Sequence, residues 1–403
     1  MSLIQIVWDL AYGIIQVYWA WAVGFMAIFA MAAFIPSRKR AKYEDEYHNL
    51  LVLIPAYKED QVILHTAKQA ISQTYPNERF TVAVIADSLK GETLVQLEEL
   101  PIEVIEVQFE KSTKSKALRK ALSILPNDYD GVIILDADNV MGPHFLVKAN
   151  AWIEQGAVAV QGRRVAKNAN SQMAILDGIS EEINNRVYCK GHNALGLSSK
   201  LSGSGMVFSY EIFRRIMDTV DAIGGFDKEL ELKYTQQKHK IFYDHTLKVF
   251  DEKVSSGAVF ARQRRRWLSS QYHYLKTFFG PALGALLTRG NLDFFNRAQQ
   301  LAMPPRLLMP VFLGLAAVLE WIFTFTLGFW TFLFAVNVGS FFIAIPGSFW
   351  NRESLKGLLY LPKAIIHALG AILRLRGANK TFIHTPHGVE ANQEPSRVTE
   401  KIT

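Results

Sequence analysis

Apolar positions along this chain follow three patterns, and each predicts a different element. Four runs of eight residues, LLVLIPAY (50–57), FTVAVIAD (80–87), IEVIEVQF (102–109) and GVIILDAD (131–138), read as strands. The first, second and fourth are nearly continuous in apolar residues, as strands buried on both faces of a parallel sheet are. Between them, 59–73 and 112–125 have helical spacing. Strand and helix in alternation predict a doubly wound α/β domain, in which ligands sit beyond the carboxyl ends of the strands. Tyr57, Asp87 and the pair Asp136–Asp138 fall at such ends.

The second pattern is the long uncharged run. Residues 10–37 carry no charged side chain, and about 20 apolar residues cross a bilayer. The run is too long for the apolar core of a signal peptide and has no basic segment before it, so a retained transmembrane helix is expected. Residues 307–351 contain a single charge, Glu320. That length predicts two spans with a turn near 320–328 and places Glu320 in a solvated loop. The third pattern is KAIIHALGAILRLR (363–376), where Lys363, His367, Gly370 and Arg374 form one polar stripe on an apolar helix. A helix lying in the membrane interface has this pattern, with His367 on its solvated face.

Charge sets the orientation. Arg38, Lys39, Arg40 and Lys42 follow the first apolar run, and Arg352, Lys356, Lys363, Arg374, Arg376 and Lys380 follow the last. Basic residues stay on the cytoplasmic side. The expected organisation is a transmembrane helix (1–37) with its N-terminus outside, a cytoplasmic α/β domain (38–303), a transmembrane hairpin (304–350), interfacial helices (351–380) and a flexible tail (381–403). A multi-pass protein of the cell (inner) membrane is therefore expected. The single cysteine, Cys189, excludes an intrachain disulfide and fits a reducing compartment. The net charge of +7 is assigned to phosphate-bearing substrates and the bilayer surface, with no nucleic-acid partner. Three spans leave most of the chain outside the membrane, which argues against a transporter.

Several residues carry candidate chemistry. Asp136 and Asp138, spaced i and i+2, can share a hard cation and hold a diphosphate on it. Lys114 and Lys116 open a helix whose N-terminus favours anions, with Lys116 the preferred functional residue of the two. Arg264, Arg265 and Arg266 cannot share one helix face, so one or two would meet phosphate and the others lipid or solvent. Trp267 offers a flat face to a sugar ring, or an anchor at the membrane interface. Asp227, following Gly224-Gly225 at a helix start, reads either as an N-cap or as a general base.

In order, these segments resemble the membrane-bound family-2 glycosyltransferases, the group of the cellulose, chitin and hyaluronan synthases, over about 50–390. IPAYKED (54–60) is similar to the family's Pro-x-Tyr-Asn-Glu strand end, with Lys58 in place of Asn. IADSLKGET (85–93) resembles Asp-Asp-Gly-Ser, with Ala86 in place of the first Asp. STKSKAL (112–118) resembles the Gly-Lys-Ala segment and places Lys116 on its lysine. DAD (136–138) and QRRRW (263–267) match in full. GSGMVFS (203–209) resembles the acceptor-side glycine loop, and GFDKELE (225–231) resembles Thr-Glu-Asp, with Phe226 in place of Glu. Asp227 precedes Gln263 by 36 positions, as in the family. TFIHTPH (381–387) resembles the loop that closes over the nucleotide, with His384 and His387 in place of Val and Lys; His387 would make that loop's cation pH-dependent.

The resemblance implies a GT-A-type catalytic domain and an inverting, metal-dependent transfer from a UDP-sugar donor to a saccharide acceptor. Pro55, Tyr57, Glu59, Asp87, Lys116, Asp136, Arg266, Phe382 and Thr385 would bind the donor, and Gly203, Ser204, Gln263 and Trp267 the acceptor. Asp138 with Asp136 would hold Mg²⁺ or Mn²⁺, and Asp227 would take the acceptor proton. The acceptor is expected to be a growing polysaccharide or oligosaccharide. Because three spans make a narrow path, polymer export would need a homo-oligomer or interfacial helices lining the path. The alternative is a single transfer to a lipid-linked saccharide. A non-catalytic nucleotide-sugar sensor is disfavoured, because both Asp138 and Asp227 are present.

Overall fold

The computed structural model describes residues 2–36, 46–254 and 257–373. Eight strands form one sheet: β1 (Leu50–Tyr57), β2 (Phe80–Asp87), β3 (Glu103–Val107), β4 (Gly131–Ile134), β5 (Val140–Met141), β6 (Ala159–Ala166), β7 (Met206–Ser209) and β8 (Ile241–Asp251). Their order is β3-β2-β1-β4-β7-β6-β8-β5. The β3-β2-β1-β4 half is parallel throughout, as the continuous apolar runs predict. The other half departs from the doubly wound expectation: β7 runs antiparallel to both β4 and β6, while β6 and β8 are parallel, so the sheet is mixed.

The fourth predicted strand stops at Ile134, short of the Asp-Ala-Asp. Leu135 N–H still donates to Leu53 O at 3.0 Å. The Asp136 N–H instead donates to the Ser204 hydroxyl at 3.0 Å, and Asn139 N–H bonds Asp136 O at 3.0 Å to close a turn. The two carboxylates thus stand on a turn just beyond the sheet. Helices cover both faces, burying Ala117, Leu118, Phe213 and Leu230 on one side and Ile63, Ala67, Phe145 and Trp152 on the other.

The long apolar segments form a third core. Helix Leu3–Ala32 meets helix Phe329–Ala344 through Ala22, Val23, Met26, Trp330 and Leu333. Ile179 and Ile183, from helix Gln172–Asn184 of the α/β domain, join the same cluster. Facing outward are Leu3, Ile4, Trp8, Ile14, Phe323, Phe325, Leu327 and Phe332, all more than half exposed. Apolar exposure on that scale marks a surface that meets lipid or another protein.

Helices Leu3–Ala32 (30 residues) and Arg306–Thr324 (19 residues) are long and apolar enough to cross a bilayer. The third expected span, Phe329–Ala344, has 16 residues, about 24 Å at 1.5 Å per residue against a hydrocarbon core of about 30 Å. The turn falls at 325–328 as expected. Glu320 is not a loop residue: it lies within helix Met309–Thr324. Its carboxylate accepts from the backbone N–H groups of Gly328, Trp330 and Thr331 at 3.1–3.2 Å. It therefore caps the start of the next helix, satisfying donors that would otherwise be orphaned.

The helix Leu361–Leu373 is present, but its stripe is not uniformly solvated. The His367 ring packs against Gly257, where a Cβ would come within 2.4 Å of Nε2, while the apolar face buries Ala364 and Ala368. The basic cluster at 38–42 and the segment 381–387, with Phe382, His384, Thr385 and His387, lie outside the described residues.

Candidate active site

A cleft of about 740 Å³ opens beyond the ends of β1 and β2 and against the Asp136–Asp138 turn. β1 and β2 finish in register, Tyr57 beside Asp87. Both chains then turn away through left-handed residues, Lys58 (φ 56°) and Ser88 (φ 58°). The Asp87 carbonyl accepts from Lys58 N–H at 3.0 Å, and its carboxylate accepts from the Ser88 hydroxyl at 3.0 Å. Pro55, Tyr57, Glu59 and Asp87, which the family resemblance assigns to the donor, all line the cleft.

Asp136 and Asp138 line the same cleft. The Lys114 ammonium is ion-paired to Asp136, donates to Gly203 O at 2.7 Å and sits 5.7 Å from the centre of the Phe226 ring. Lys116 is elsewhere: its ammonium bonds Lys111 O at 3.1 Å on the exposed side. Thr113 caps the helix Lys114–Ile124, and two residues along a helix turn by about 200°, so only one of the two lysines can face the cleft. It is Lys114.

Gly203 lines the cleft, but Ser204 does not reach it. Its side chain is fully buried, and its oxygen accepts from Asp136 N–H and, at 2.6 Å, from Asn139 Nδ2. Ser204 therefore holds the Asp-Ala-Asp turn. Gly205 beside it has φ +62°, and a Cβ there would stand 2.7 Å from Val249, so the loop needs glycine at that position.

Across the cleft, helix Phe226–Gln236 begins after Gly225, which is left-handed at φ 69°. A Cβ on Gly225 would come within 2.8 Å of the Ser270 hydroxyl, so glycine lets this helix start lie against the long helix Gly257–Arg289. Gly225 takes the N-cap position, which leaves Asp227 in the first turn as a cleft residue rather than a cap. Glu229 and Glu231 are committed elsewhere. Glu229 accepts from Tyr274 Oη at 3.3 Å, and Glu231 accepts from Leu201 N–H at 2.8 Å.

The long helix presents Gln263, Arg266 and Trp267 to the cleft. Burial pulls the Arg266 guanidinium below its ordinary pKa, and Asp227 and Asp136 partly offset that. Burial likewise lowers Lys228, with Asp227 opposing. Gln263 Oε1 is buried without a hydrogen-bond partner among the described residues. Arg264 does not line the cleft: it pairs with Asp177 at 3.0 Å and lies 4.5 Å from the Trp267 ring centre.

Sequence reasoning missed a second set of cleft residues: Arg164, Glu181, Asp251 and Lys253. Arg164 is ion-paired to Asp251, and Lys253 meets Asp251 at 2.9 Å and Glu181 at 3.3 Å. Burial alone would raise the Glu181 carboxyl; Lys253 and Arg164 outweigh it and hold the group at about 2. The available signal was the apolar residues that flank the charges in AVQGRRVA (159–166) and IFYDHTLKVFD (241–251). Read as strands, those runs would have put Arg164 and Asp251 near strand ends.

The donor set suits a hard divalent cation. Among the described residues no group of three or more His, Cys, Asp or Glu side chains gathers to cage a metal. Two carboxylates on one turn, with Gly203 close by, leave most coordination positions to diphosphate oxygens and water, which is how Mg²⁺-type ions are commonly held.

Residues 48–270, more than half of the chain, match the family described as glycosyltransferase like family 2. The probable glycosyltransferase YdaM of Bacillus subtilis (strain 168) is 24% identical over 246 residues, 57% of this chain and 57% of that protein. The chain thus spans less than two thirds of that relative's length. The mannosyltransferase PcManGT from Pyrobaculum calidifontis, solved with GDP-Man and Mn²⁺, superposes with a TM-score of 0.51 at 18% identity, over 82% of this chain and 96% of that one. That likeness concerns the fold. Because the matched segment contains every cleft residue from Pro55 to Trp267, the fold, the cleft and the family agree: this chain belongs to the glycosyltransferase like family 2.

Proposed function

We propose that the protein transfers a sugar from a UDP-sugar to a saccharide hydroxyl at the cytoplasmic face of a membrane, inverting the anomeric carbon. The observation that carries this reading is the convergence of Asp227, Arg266, Asp136 and Asp138 on one cleft. Pro55, Tyr57, Glu59 and Asp87 would hold the nucleoside, and Asp136 and Asp138 a Mg²⁺ or Mn²⁺ ion. Once bound, that ion would neutralise charge on the leaving diphosphate. Asp227 takes the proton of the acceptor hydroxyl. The acceptor oxygen forms its bond to the anomeric carbon as the bond to the diphosphate breaks. The electron pair leaves with the nucleoside diphosphate, whose growing charge faces Arg266. Gln263, with its unpartnered oxygen, and Trp267 would position the acceptor.

Helices Leu3–Ala32 and Arg306–Thr324, with their outward apolar faces, would anchor the chain as a multi-pass protein of the cell membrane. The flanking basic residues orient the domain inward. The test is to incubate membranes containing the protein with a panel of UDP- and GDP-sugars plus Mn²⁺, and to follow nucleoside diphosphate release. Release from one or more UDP-sugars, abolished by Asp227→Asn, is expected. Release from GDP-sugars alone would reject the donor assignment.

A further inference from the structure

A second chamber of about 500 Å³ adjoins the cleft. Lys200, Lys228 and Trp267 line both spaces and so mark their junction. The chamber walls come from three parts of the chain: Met173 and Phe260 of the catalytic domain, Pro310 and Phe341 of the hairpin, and Ile365 and Ala368 of the C-terminal helix. Such a wall suits a hydrocarbon chain. A hydrated glycan laid against these apolar side chains would leave hydroxyls without partners, at a cost for each.

The chamber's charges are unbalanced. Its two acids are already matched: Asp177 pairs with Arg264 at 3.0 Å, and Glu231 with Arg297 at 3.6 Å. Arg306, Lys200 and Lys228 make no ion pair among the described residues. Arg306 hydrogen-bonds neutral oxygens, Asn184 Oδ1 at 2.9 Å and the hydroxyl and carbonyl of Ser180 at 2.8 and 3.1 Å, and its guanidinium lies 5.9 Å from the centre of the Tyr188 ring. It stands where the chain enters the first hairpin helix. A partly buried guanidinium with no acid within ion-pair distance among the described residues, Asp177 and Glu181 acting on it only from further away, is costly unless an anion arrives, and its planar fork matches phosphate.

We infer that the acceptor is an amphipathic lipid, a saccharide joined through phosphate to an apolar chain. The chain lies in this chamber, the phosphate meets Arg306, and the saccharide passes Lys200 and Lys228 to reach Asp227. This rests on the donor reading above and narrows its acceptor. The transfer balances as before: the acceptor O–H proton goes to Asp227, one sugar–oxygen bond forms, and the bond to the nucleoside diphosphate breaks with its electron pair.

The test uses the full chain in nanodiscs and three probes: farnesyl phosphate, farnesol and inorganic phosphate. Farnesyl phosphate is expected to bind at least tenfold more tightly than either other probe. Arg306→Gln should weaken it about tenfold or more, Arg306→Lys should restore most of the loss, and Ile365→Trp, which fills the chamber, should also block it. Equal binding of farnesol, equal competition by inorganic phosphate or by phosphatidylglycerol, or indifference to both Arg306→Gln and Ile365→Trp would overturn the inference. UDP binding in Mn²⁺ is measured on the same samples as a check on folding. Intact UDP binding without farnesyl phosphate binding sinks the lipid inference alone, whereas farnesyl phosphate binding without UDP binding sinks the donor reading instead.

Discussion

Replacing Asp227 by Asn removes a charge and a proton acceptor while keeping the side chain's shape. An acceptor hydroxyl is a poor nucleophile until its proton is leaving, and a positioned base contributes roughly 10²–10⁴-fold, or about 3–5 kcal/mol of barrier. Asp227 is the acid that faces the cleft from the first turn of helix Phe226–Gln236; Glu229 and Glu231 do not line it. The same carboxylate opposes the burial penalty on Lys228 and Arg266. Its loss leaves both cations with one anion fewer, which favours rather than weakens diphosphate binding. Asp227→Asn is therefore expected to cut transfer by two to four orders of magnitude in an assay of product formation. UDP affinity should be unchanged or slightly higher by calorimetry. Glu229→Gln weakens a buried hydrogen bond and should cost roughly 1–3 kcal/mol of stability; Glu231→Gln also leaves buried Arg297 without its acid and should cost roughly 3–5 kcal/mol; both should keep most of the transfer rate per folded molecule. Near-normal transfer by Asp227→Asn, with transfer lost in Glu231→Gln, would refute the base assignment.

Lys114→Met should weaken UDP-sugar binding or turnover at least tenfold, because its ammonium is the cation at Asp136, whereas Lys116→Met should have little effect; the opposite pattern in donor-binding titrations would restore Lys116. Trp267→Ala should impair transfer to the acceptor more than UDP affinity, and collapsed UDP binding with a normal thermal melt would move this residue to the donor side. Lys253→Met leaves Asp251 and Glu181 short of a buried cation and should cost roughly 3–5 kcal/mol. Glu181 has its folded pKa held below its ordinary 4.5, at about 2, so its stabilisation is present above 4.5 and is lost as pH falls toward 2. The drop in melting temperature across that window should shrink in Lys253→Met, and an unchanged acid profile would contradict the network's role. Cysteine labelling at positions 45 and 395 should report the cytoplasmic side at both, and an external signal at either would reject the topology.

Much of the fold was legible because the buried parallel strands declare themselves. The runs at 50–57 and 80–87 are strands with those same bounds. The run at 131–138 overshot because apolarity continues through Leu135 while the backbone leaves the ladder for a side-chain partner, Ser204, 68 residues away. No local pattern encodes such a partner. For the same reason the family pattern, which placed Lys116 by alignment, could not tell which of two lysines turns inward; helix phase decides that. Glu320 shows the reverse. One charge in an apolar run reads as a loop, yet here the fold uses it to cap a neighbouring helix start. The second half of the sheet went unread because β6 and β8 carry arginine, lysine and aspartate among their apolar positions, and two of these, Arg164 and Asp251, supply buried charges of the cleft.

The central claim, that this cleft holds a nucleoside diphosphate on a divalent cation carried by the Asp-Ala-Asp turn, is tested most directly by calorimetric titration of UDP into the full chain with Mn²⁺, with EDTA, and with Asp138→Ala in Mn²⁺. The account predicts saturable binding in Mn²⁺, weakened at least tenfold both by chelation and by Asp138→Ala. Binding of equal strength in all three would contradict it and would leave Lys114 and Arg266 to neutralise the diphosphate unaided.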